Sequence, residues 1–160
     1  MTTMKKLICA LLALCVCAGC ALAETGATFP LWFDGEFSLN LPEGWVSFPV
    51  SPADARAGIQ YALGTPGGER CLYIQRQKVA KIEGFGALKA ALEAREDCSK
   101  VQELALNGQA FASFIMPGEN VSGCATVLDG AVLTFLFQPQ DDSDYIMSVA
   151  EIMASFRAAQ

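Results

Sequence analysis

The residues that could carry out chemistry are few in this chain, and the first observation is a missing residue type. None of the 160 residues is histidine. Its absence excludes Ser-His and Cys-His nucleophile pairs, histidine-ligated zinc and histidine proton transfer. A Ser-Lys arrangement of Ser99 or Ser113 with Lys100 is formally available, but no surrounding motif supports it. We therefore predict no catalytic residue and interpret these three as polar residues at the surface.

Cysteine is the other candidate nucleophile, and its seven copies fall into two groups. Four lie near the N-terminus, where the Cys17-x-x-Cys20 spacing has no βαβ context and is not a redox motif. The other three are Cys71, Cys98 and Cys124, so at most one disulfide can form among them, and its partners stay open. We expect small apolar residues at buried positions, as is common for free cysteine. A redox-active Cys71 is the alternative.

The segment Asp141-Asp142-Ser143-Asp144 offers hard oxygen ligands of the kind that bind calcium. It lacks the central glycine and the terminal glutamate of the twelve-residue calcium loop. We therefore predict a solvated turn whose carboxylates stabilise the N-terminus of the following helix. No metal site and no cofactor are predicted. Carboxylate pairs that cleave glycosides depend on distances in space, and the sequence nominates no such pair.

Two shorter motifs carry weaker signals. The segment Gly64-Thr-Pro-Gly-Gly68 is rich in glycine but lacks the Lys-Ser/Thr ending of a phosphate-binding loop. The tripeptide Asn120-Val121-Ser122 fits the N-glycosylation pattern, which matters only in a eukaryotic secretory route. Because the N-terminal segment is of bacterial type, we interpret this match as incidental.

The N-terminal segment has the layout of a secretory signal peptide. A short basic head is followed by an apolar run from Leu7 to Ala23, which ends in the small-x-small site Ala21-Leu22-Ala23. The run is marginal for a bilayer span of about 20 residues. We predict a signal peptide at residues 1–23 and a single domain at residues 24–160. The alternative is a bacterial lipoprotein signal in which Cys20 is lipidated.

Charge limits the range of partners. Removal of the signal takes away Lys5 and Lys6 and no acidic residue, so the net charge changes from −6 to −8. Nucleic acid is disfavoured as a partner because phosphate binding requires a basic patch, and anionic membrane surfaces are disfavoured for the same reason. We expect a protein or small-ligand partner in the envelope, with membrane contact only through the signal segment or a lipid on Cys20.

The chain after the signal consists largely of short strands and turns. Two apolar runs, 29–33 and 37–41, flank Asp34-Gly35 and predict an opening hairpin. Further strands are predicted at 59–63, 71–75, 101–106, 109–116, 121–128 and 131–137. The last four are separated by turn residues and form a meander. We expect an antiparallel sheet of about six or seven strands.

Three helices are predicted beside this sheet. Ser51-Pro52 begins a short helix, and residues 87–97 form a longer one with a narrow apolar face. The closing helix, 144–157, ends with Arg157, whose charge complements the helix dipole. Its apolar stripe has spacings of four, three and four residues through Tyr145, Val149, Ile152 and Phe156. These elements predict an α+β fold with helices packed on the sheet.

The segment Phe37-Ser-Leu-Asn-Leu-Pro-Glu-Gly-Trp45 resembles the opening of the PsbP-like domains, a strand followed by Leu-Pro-x-Gly-Trp. The superfamily includes bacterial envelope lipoproteins similar to DcrB, and the ending Ser155-Phe-Arg157 is also similar to theirs. The resemblance implies an α-β-α sandwich and a non-enzymatic accessory role. It implies no site residues, because the superfamily shares no catalytic residues. Gly44 should permit a turn, and Trp45 should cover the edge of the core.

The sequence predicts an exported, extracytoplasmic accessory protein that acts as a binding or scaffold domain and is not an enzyme. The alternative is an exported hydrolase or thiol enzyme whose site the sequence does not reveal. An enzyme should present a deep polar pocket with perturbed carboxylates or a thiolate, whereas a binding domain should show an apolar or acidic patch. Aromatic residues are frequent in the N-terminal part of the domain, among them Phe29, Trp32, Phe33, Trp45 and Phe48. Most of these five should lie in the core, and any that is exposed is a candidate partner-binding patch.

Export of the full chain from a bacterial host tests the cleavage site. The exported product should begin at Glu24, because Ala21-Leu22-Ala23 is the expected recognition site for cleavage. Intact-mass spectrometry of the soluble extracytoplasmic fraction measures this start. A diacylated Cys20 in the membrane fraction would contradict it and support the lipoprotein alternative.

Overall fold

The computed structural model describes residues 30–159. The predicted signal peptide at residues 1–23, with the candidate lipidation site Cys20, lies outside the described residues, as does Phe29. Within the described range, no helix combines the length and the apolar character that a bilayer crossing requires.

The described residues form ten strands, three α-helices and one short 3-10 helix at Pro117–Glu119. The strands are β1 (Pro30–Phe33), β2 (Phe37–Asn40), β3 (Val46–Phe48), β4 (Ile59–Gly64), β5 (Cys71–Gln77), β6 (Ser99–Leu106), β7 (Gln109–Met116), β8 (Val121–Leu128), β9 (Ala131–Gln138) and β10 (Arg157–Ala158). The helices are α1 (Pro52–Arg56), α2 (Phe85–Glu93) and α3 (Ser143–Ala154).

Seven strands form one antiparallel sheet in the order β3-β4-β5-β9-β8-β7-β6. This confirms the predicted sheet of six or seven strands. The hairpins β6–β7 and β8–β9 turn at Asn107-Gly108 and Asp129-Gly130, where all four residues have φ between 50° and 85°. Paired positive φ angles give a turn whose twist matches that of the flanking strands. This match explains why the two dipeptides predict their hairpins correctly.

The opening hairpin is confirmed, but it does not join the main sheet. β1 and β2 pair around Asp34-Gly35, and β10 pairs with the other side of β2, placing Arg157 opposite Ser38. The three strands form a second, small sheet that packs across one face of the main sheet. An ion pair between Glu36 and Arg76 also joins the small sheet to β5.

The end of the closing helix differs from the prediction. α3 ends at Ala154, and Arg157 belongs to β10 rather than to a last helical turn. The helix stops because Ser155 Oγ donates to Ile152 O at 2.6 Å and accepts from Asn40 N at 2.8 Å. The residues that follow then find strand partners on β2. The Arg157 guanidinium still donates to Ala154 O at 3.4 Å, so a cation remains at the helix C-terminus.

The Asn107 side chain also reaches the end of α3. Its Nδ2 donates to Ala154 O at 3.0 Å and to Phe156 O at 2.8 Å. These carbonyl groups lie at the helix end, where the backbone has no intrahelical partner for them. The turn between β6 and β7 is therefore bonded to the point where α3 gives way to β10.

The middle helix also has different ends from those predicted. α2 spans Phe85–Glu93 instead of 87–97. Beyond it, Arg95 donates to both carboxylate oxygens of Asp97 at 2.8 and 2.6 Å, which stabilises a turn rather than a further helical turn. The narrow apolar face is confirmed by the two buried residues of α2, Leu88 and Leu92.

The main sheet separates two hydrophobic cores. On one face, α3 and the small sheet cover a core rich in aromatic side chains, including Phe111, Phe135, Phe137, Tyr145 and Phe156. On the other face, α2 covers a smaller core that includes Phe114 and Ala125. Helices therefore lie on both faces of an antiparallel sheet, which is the predicted α+β sandwich.

The smaller core depends on a glycine. A Cβ added to Gly123 would lie 2.3 Å from Phe114 Cζ, because the phenyl ring packs directly on the β8 backbone. Gly123→Ala should therefore lower the free energy of unfolding by about 1–3 kcal/mol, the usual cost of overpacking. Gly86→Ala is the matched control, since nothing lies within 4 Å of an added Cβ there. Thermal denaturation followed by circular dichroism compares the variants, and an unchanged Tm for Gly123→Ala would contradict this packing.

Candidate functional site

One part of the main sheet carries a groove beside α1. On this face α2 packs on β6, β7 and β8, whereas the five-residue α1 packs on β4. A groove of about 320 Å³ lies over β4 and β5 next to α1. The side chains that line it include Phe48, Val50, Asp54, Ile59, Cys71 and Tyr73.

Alternation along β5 explains which of its side chains reach the groove. Leu72 and Ile74 are fully buried in the aromatic core, so Cys71 and Tyr73 project from the opposite face of the sheet. Both groove-facing residues are half-buried. β5 therefore contributes a thiol and a phenol to the floor of the groove.

The cap of α1 holds Asp54 at the rim. Ser51 is the N-cap, as predicted: its Oγ accepts from Asp54 N at 3.1 Å and donates to Asp54 Oδ2 at 2.7 Å. The other end of α1 is tied to β5, because the Nε2 atoms of Gln75 and Gln77 donate to Ala57 O at 2.6 and 2.5 Å. The short helix is thus fixed at both ends, and its carboxylate has a defined place beside the groove.

The groove lining combines apolar, polar and acidic side chains, and the phenol of Tyr73 in it is neutral. Burial raises the pKa of Tyr73, and a hydrogen bond with Cys71 and the negative charge of Asp54 raise it further. Tyr73 therefore stays protonated at neutral pH and can donate a hydrogen bond. The Cys71 thiol donates to Gly68 O at 3.4 Å. Among the described residues that line the groove, none is basic and Asp54 is the acid.

The groove lining contains few groups that take part in catalysis. Glycosidase chemistry uses two acidic side chains across the scissile bond, and the groove lining contributes one carboxylate. A thiol nucleophile needs a neighbouring base or cation to activate it; the described lining residues include no cation, and Asp54 is their one possible base. What the groove offers is apolar surface, a phenol and one negative charge.

The three cysteines of the described range are free and lie on different parts of the fold. Cys71 faces the groove, Cys98 is half-buried just before β6, and Cys124 is buried in the aromatic core. Burial raises the pKa of Cys98, although the nearby Arg95 charge opposes this shift. Burial also raises the pKa of Cys124 to about 12. The expectation of a buried small residue is confirmed for Cys124, whereas Cys71 and Cys98 are only half-buried.

The acidic segment 141–144 lies at the start of α3. Asp142 is the N-cap, and its Oδ1 accepts from Asp144 N and Tyr145 N at 3.0 Å each. Its Oδ2 accepts from Arg70 Nε at 2.8 Å, and these bonds lower the pKa of Asp142. The predicted role at a helix N-terminus is confirmed. Across residues 30–159, no cluster of three or more potential metal-ligating side chains is found.

The serines of the formal Ser-Lys arrangement bond to the backbone. Ser99 Oγ donates to Ile115 O at 3.3 Å, and Ser113 Oγ donates to Gln102 O at 3.4 Å. Both hydroxyl groups therefore support the pairing of β6 with β7. Lys100 is exposed and lies where the register of that pairing shifts.

The two weak motifs are parts of turns. Asn120 has a φ of 55°, its Nδ2 donates to Asp141 Oδ1 at 3.0 Å, and its Oδ1 accepts from Gln140 N at 3.2 Å. The amide that a glycan would occupy is thus bonded within the fold. Residues 64–68 comprise the last residue of β4 and the first part of the turn to β5, in which Gly68 N donates to Thr65 O at 2.8 Å.

The aromatic residues of the candidate patch are less buried than predicted: of the four that the structure describes, Phe33 is buried, and Trp45 and Phe48 are half-buried. The Trp45 ring lies 6.1 Å from that of Tyr145, so Trp45 covers a core edge. Gly44 before it has the positive φ of a turn, 81°. Trp32 on β1 is 52% exposed and therefore lies at the surface.

The groove lining was only partly foreseeable. Cys71 and Phe48 are among the sequence candidates, whereas Val50, Ile59 and Tyr73 are not. The usable signal is the alternation of β5, which separates Cys71 and Tyr73 from the core leucine and isoleucine. Alternation does not reveal that the helix on that face stops short of these strands.

Comparison with known proteins identifies the fold. No family model matches the sequence, and no curated protein matches it either. Among solved structures, however, the fold is that of PsbP.

The chain is similar to the solution structure of cyanobacterial PsbP (CyanoP) from Synechocystis sp. PCC 6803, with a TM-score of 0.58 and 15% identity. The match covers 88% of this chain and 98% of that chain. The PsbP-like fold expected from residues 37–45 is thereby confirmed. Because one fold serves many functions, the similarity establishes architecture, and function must be argued from the groove.

Thiol accessibility tests the placement of the cysteines. In the folded chain from Glu24, Ellman's reagent should titrate no more than two thiols, since Cys124 is buried and its thiol stays protonated. Unfolding without reductant should raise the count to three, because all three are free. Cys124→Ala should leave the native count unchanged and lower the unfolded count by one. Fewer than three thiols in the unfolded, unsubstituted chain would reveal a disulfide and contradict the structure.

Proposed function

We propose that this chain is an exported, extracytoplasmic accessory protein that binds a partner without turnover. Residues 1–23 act as the signal peptide, and residues 24–160 form the single binding domain. In the other processing route, a lipid on Cys20 holds the same domain at the membrane. The partner is a protein or a small ligand of the envelope, and it is recognised through the groove beside α1.

The size and composition of the groove carry this proposal. Its volume of about 320 Å³ is near the lower end of the roughly 300–1,000 Å³ usual for ligand pockets. It is a partly open groove rather than an enclosed cavity. A shallow site of this size suits one side chain or a short segment of a partner. The proposed accessory role therefore needs no further cavity.

The fold supports the proposal in a secondary way. The resemblance to PsbP-like domains, including the DcrB-type envelope lipoproteins, implies a non-enzymatic role outside the cytoplasm. The signal segment requires the same location. The charge of −8 after the signal disfavours nucleic acid as a partner.

Capture from the envelope fraction tests the groove directly. The immobilised chain from Glu24 should retain a partner whose affinity Val50→Trp lowers at least about tenfold, because the indole would fill the groove that the partner occupies. Val79→Trp is the matched control, since Val79 is 39% exposed in the loop after β5 and does not line the groove. Quantitative mass spectrometry of the retained proteins compares the variants, with Tm values measured to show that each is folded.

Equal capture by Val50→Trp and Val79→Trp would exclude the groove as the binding surface. The thiol-enzyme alternative draws on one observation, the position of Cys71 at the groove floor. If the chain turns over an envelope substrate and Cys71→Ala abolishes that turnover, the thiol-enzyme alternative replaces the binding proposal. Under the binding proposal, the unsubstituted chain turns over no such substrate.

A further inference from the structure

The rim of the groove carries charge of one sign. Asp54 lies on the α1 side. Ser51 Oγ donates to its carboxylate at 2.7 Å, which holds the charge in place. Asp54 is the one charged side chain among the described residues that line the groove.

The nearest basic side chains in the sequence are directed elsewhere. Arg70 follows Glu69, but its Nε donates to Asp142 at 2.8 Å and its guanidinium lies 5.7 Å from the centre of the Tyr145 ring. Both contacts belong to the opposite face of the sheet, with α3. Arg56 is two positions after Asp54, which is about 200° further round the helix. No positive charge on these elements neutralises the Asp54 carboxylate at the groove.

The floor supplies what a cation on an apolar stem requires. Phe48 and Tyr73 place aromatic rings in the lining, and Ile59 adds aliphatic surface. Cations are attracted to aromatic faces, and the methylene chains of basic residues pack on apolar surface. An acidic domain also attracts basic partners over longer distances.

We infer that the groove binds a cationic group on an apolar stem, the chemistry of a lysine or arginine side chain presented by a partner protein. Asp54 pairs with the charge, the aromatic rings contact the cation or its stem, and Ile59 packs against the methylene groups. This assigns a ligand class to the site named under the proposed function, and it rests on that function.

Titration with two small probes, followed by amide shifts in ¹H–¹⁵N spectra, tests the assignment. The probes are Nα-acetyl-lysine N-methylamide and Nα-acetyl-norleucine N-methylamide, which share a stem and differ in the ammonium group. The lysine probe should shift the amides of Ile59, Cys71 and Tyr73 and should bind about fivefold or more tightly than the norleucine probe. Raising the salt concentration should narrow this difference.

Two variants test whether the Asp54 carboxylate causes the difference in affinity between the two probes. Asp54→Asn keeps an acceptor for Ser51 and should bring the affinities of the two probes closer together, whereas Asp129→Asn, in the β8–β9 turn outside the groove lining, should preserve the preference. Equal binding of both probes to the unsubstituted chain would overturn the cation assignment and leave an apolar groove, with the proposed binding function intact. Absence of shifts at the groove with either probe would also overturn it. The capture experiment with Val50→Trp blocks the groove whatever the charge of the ligand, so it judges the binding function separately.

Discussion

The packing of Phe156 between the two sheets is the contact on which the rest of the architecture depends. Its ring centre lies 5.0 Å from that of Phe111, 6.0 Å from that of Phe135 and 5.8 Å from that of Phe37. The first two belong to the main sheet and the third to the small sheet. To bring the ring here, the chain must leave the helical path at Ser155 and continue as a strand beside β2. This requirement limits the length of α3, completes the small sheet and fills one face of the main sheet.

With that face filled, the opposite face is the one that can present a binding surface. There α2 has nine residues and packs on β6 to β8, and β4 has only the five-residue α1 against it. β5 serves both faces, since its buried residues stabilise the aromatic core while Cys71 and Tyr73 line the groove. The groove therefore results from short helical coverage of a sheet that is already stabilised from the other side.

Local signals in the sequence predict the hairpins, the Ser51 cap and most strands, because each depends on residues a few positions apart. The end of α3 could not be predicted in this way. The stripe from Tyr145 to Phe156 keeps helical spacing, yet Phe156 is buried from outside the helix, and the partner that causes this, β2, is more than a hundred residues away. The groove is hidden for a similar reason, since its lining combines β3, α1, β4 and β5, and the extent of α2 over them is a tertiary property.

The bond from Asn107 to the end of α3 makes the two hairpin dipeptides unequal in what they tolerate. For the turn alone, Asn-Gly and Asp-Gly are interchangeable. At position 107 the side chain must also donate to two carbonyl oxygens, and a carboxylate would present acceptors to acceptors. In relatives that keep β10, Asn and Asp should therefore exchange freely at the first position of the β8–β9 turn. The β6–β7 turn should keep an amide side chain at that position.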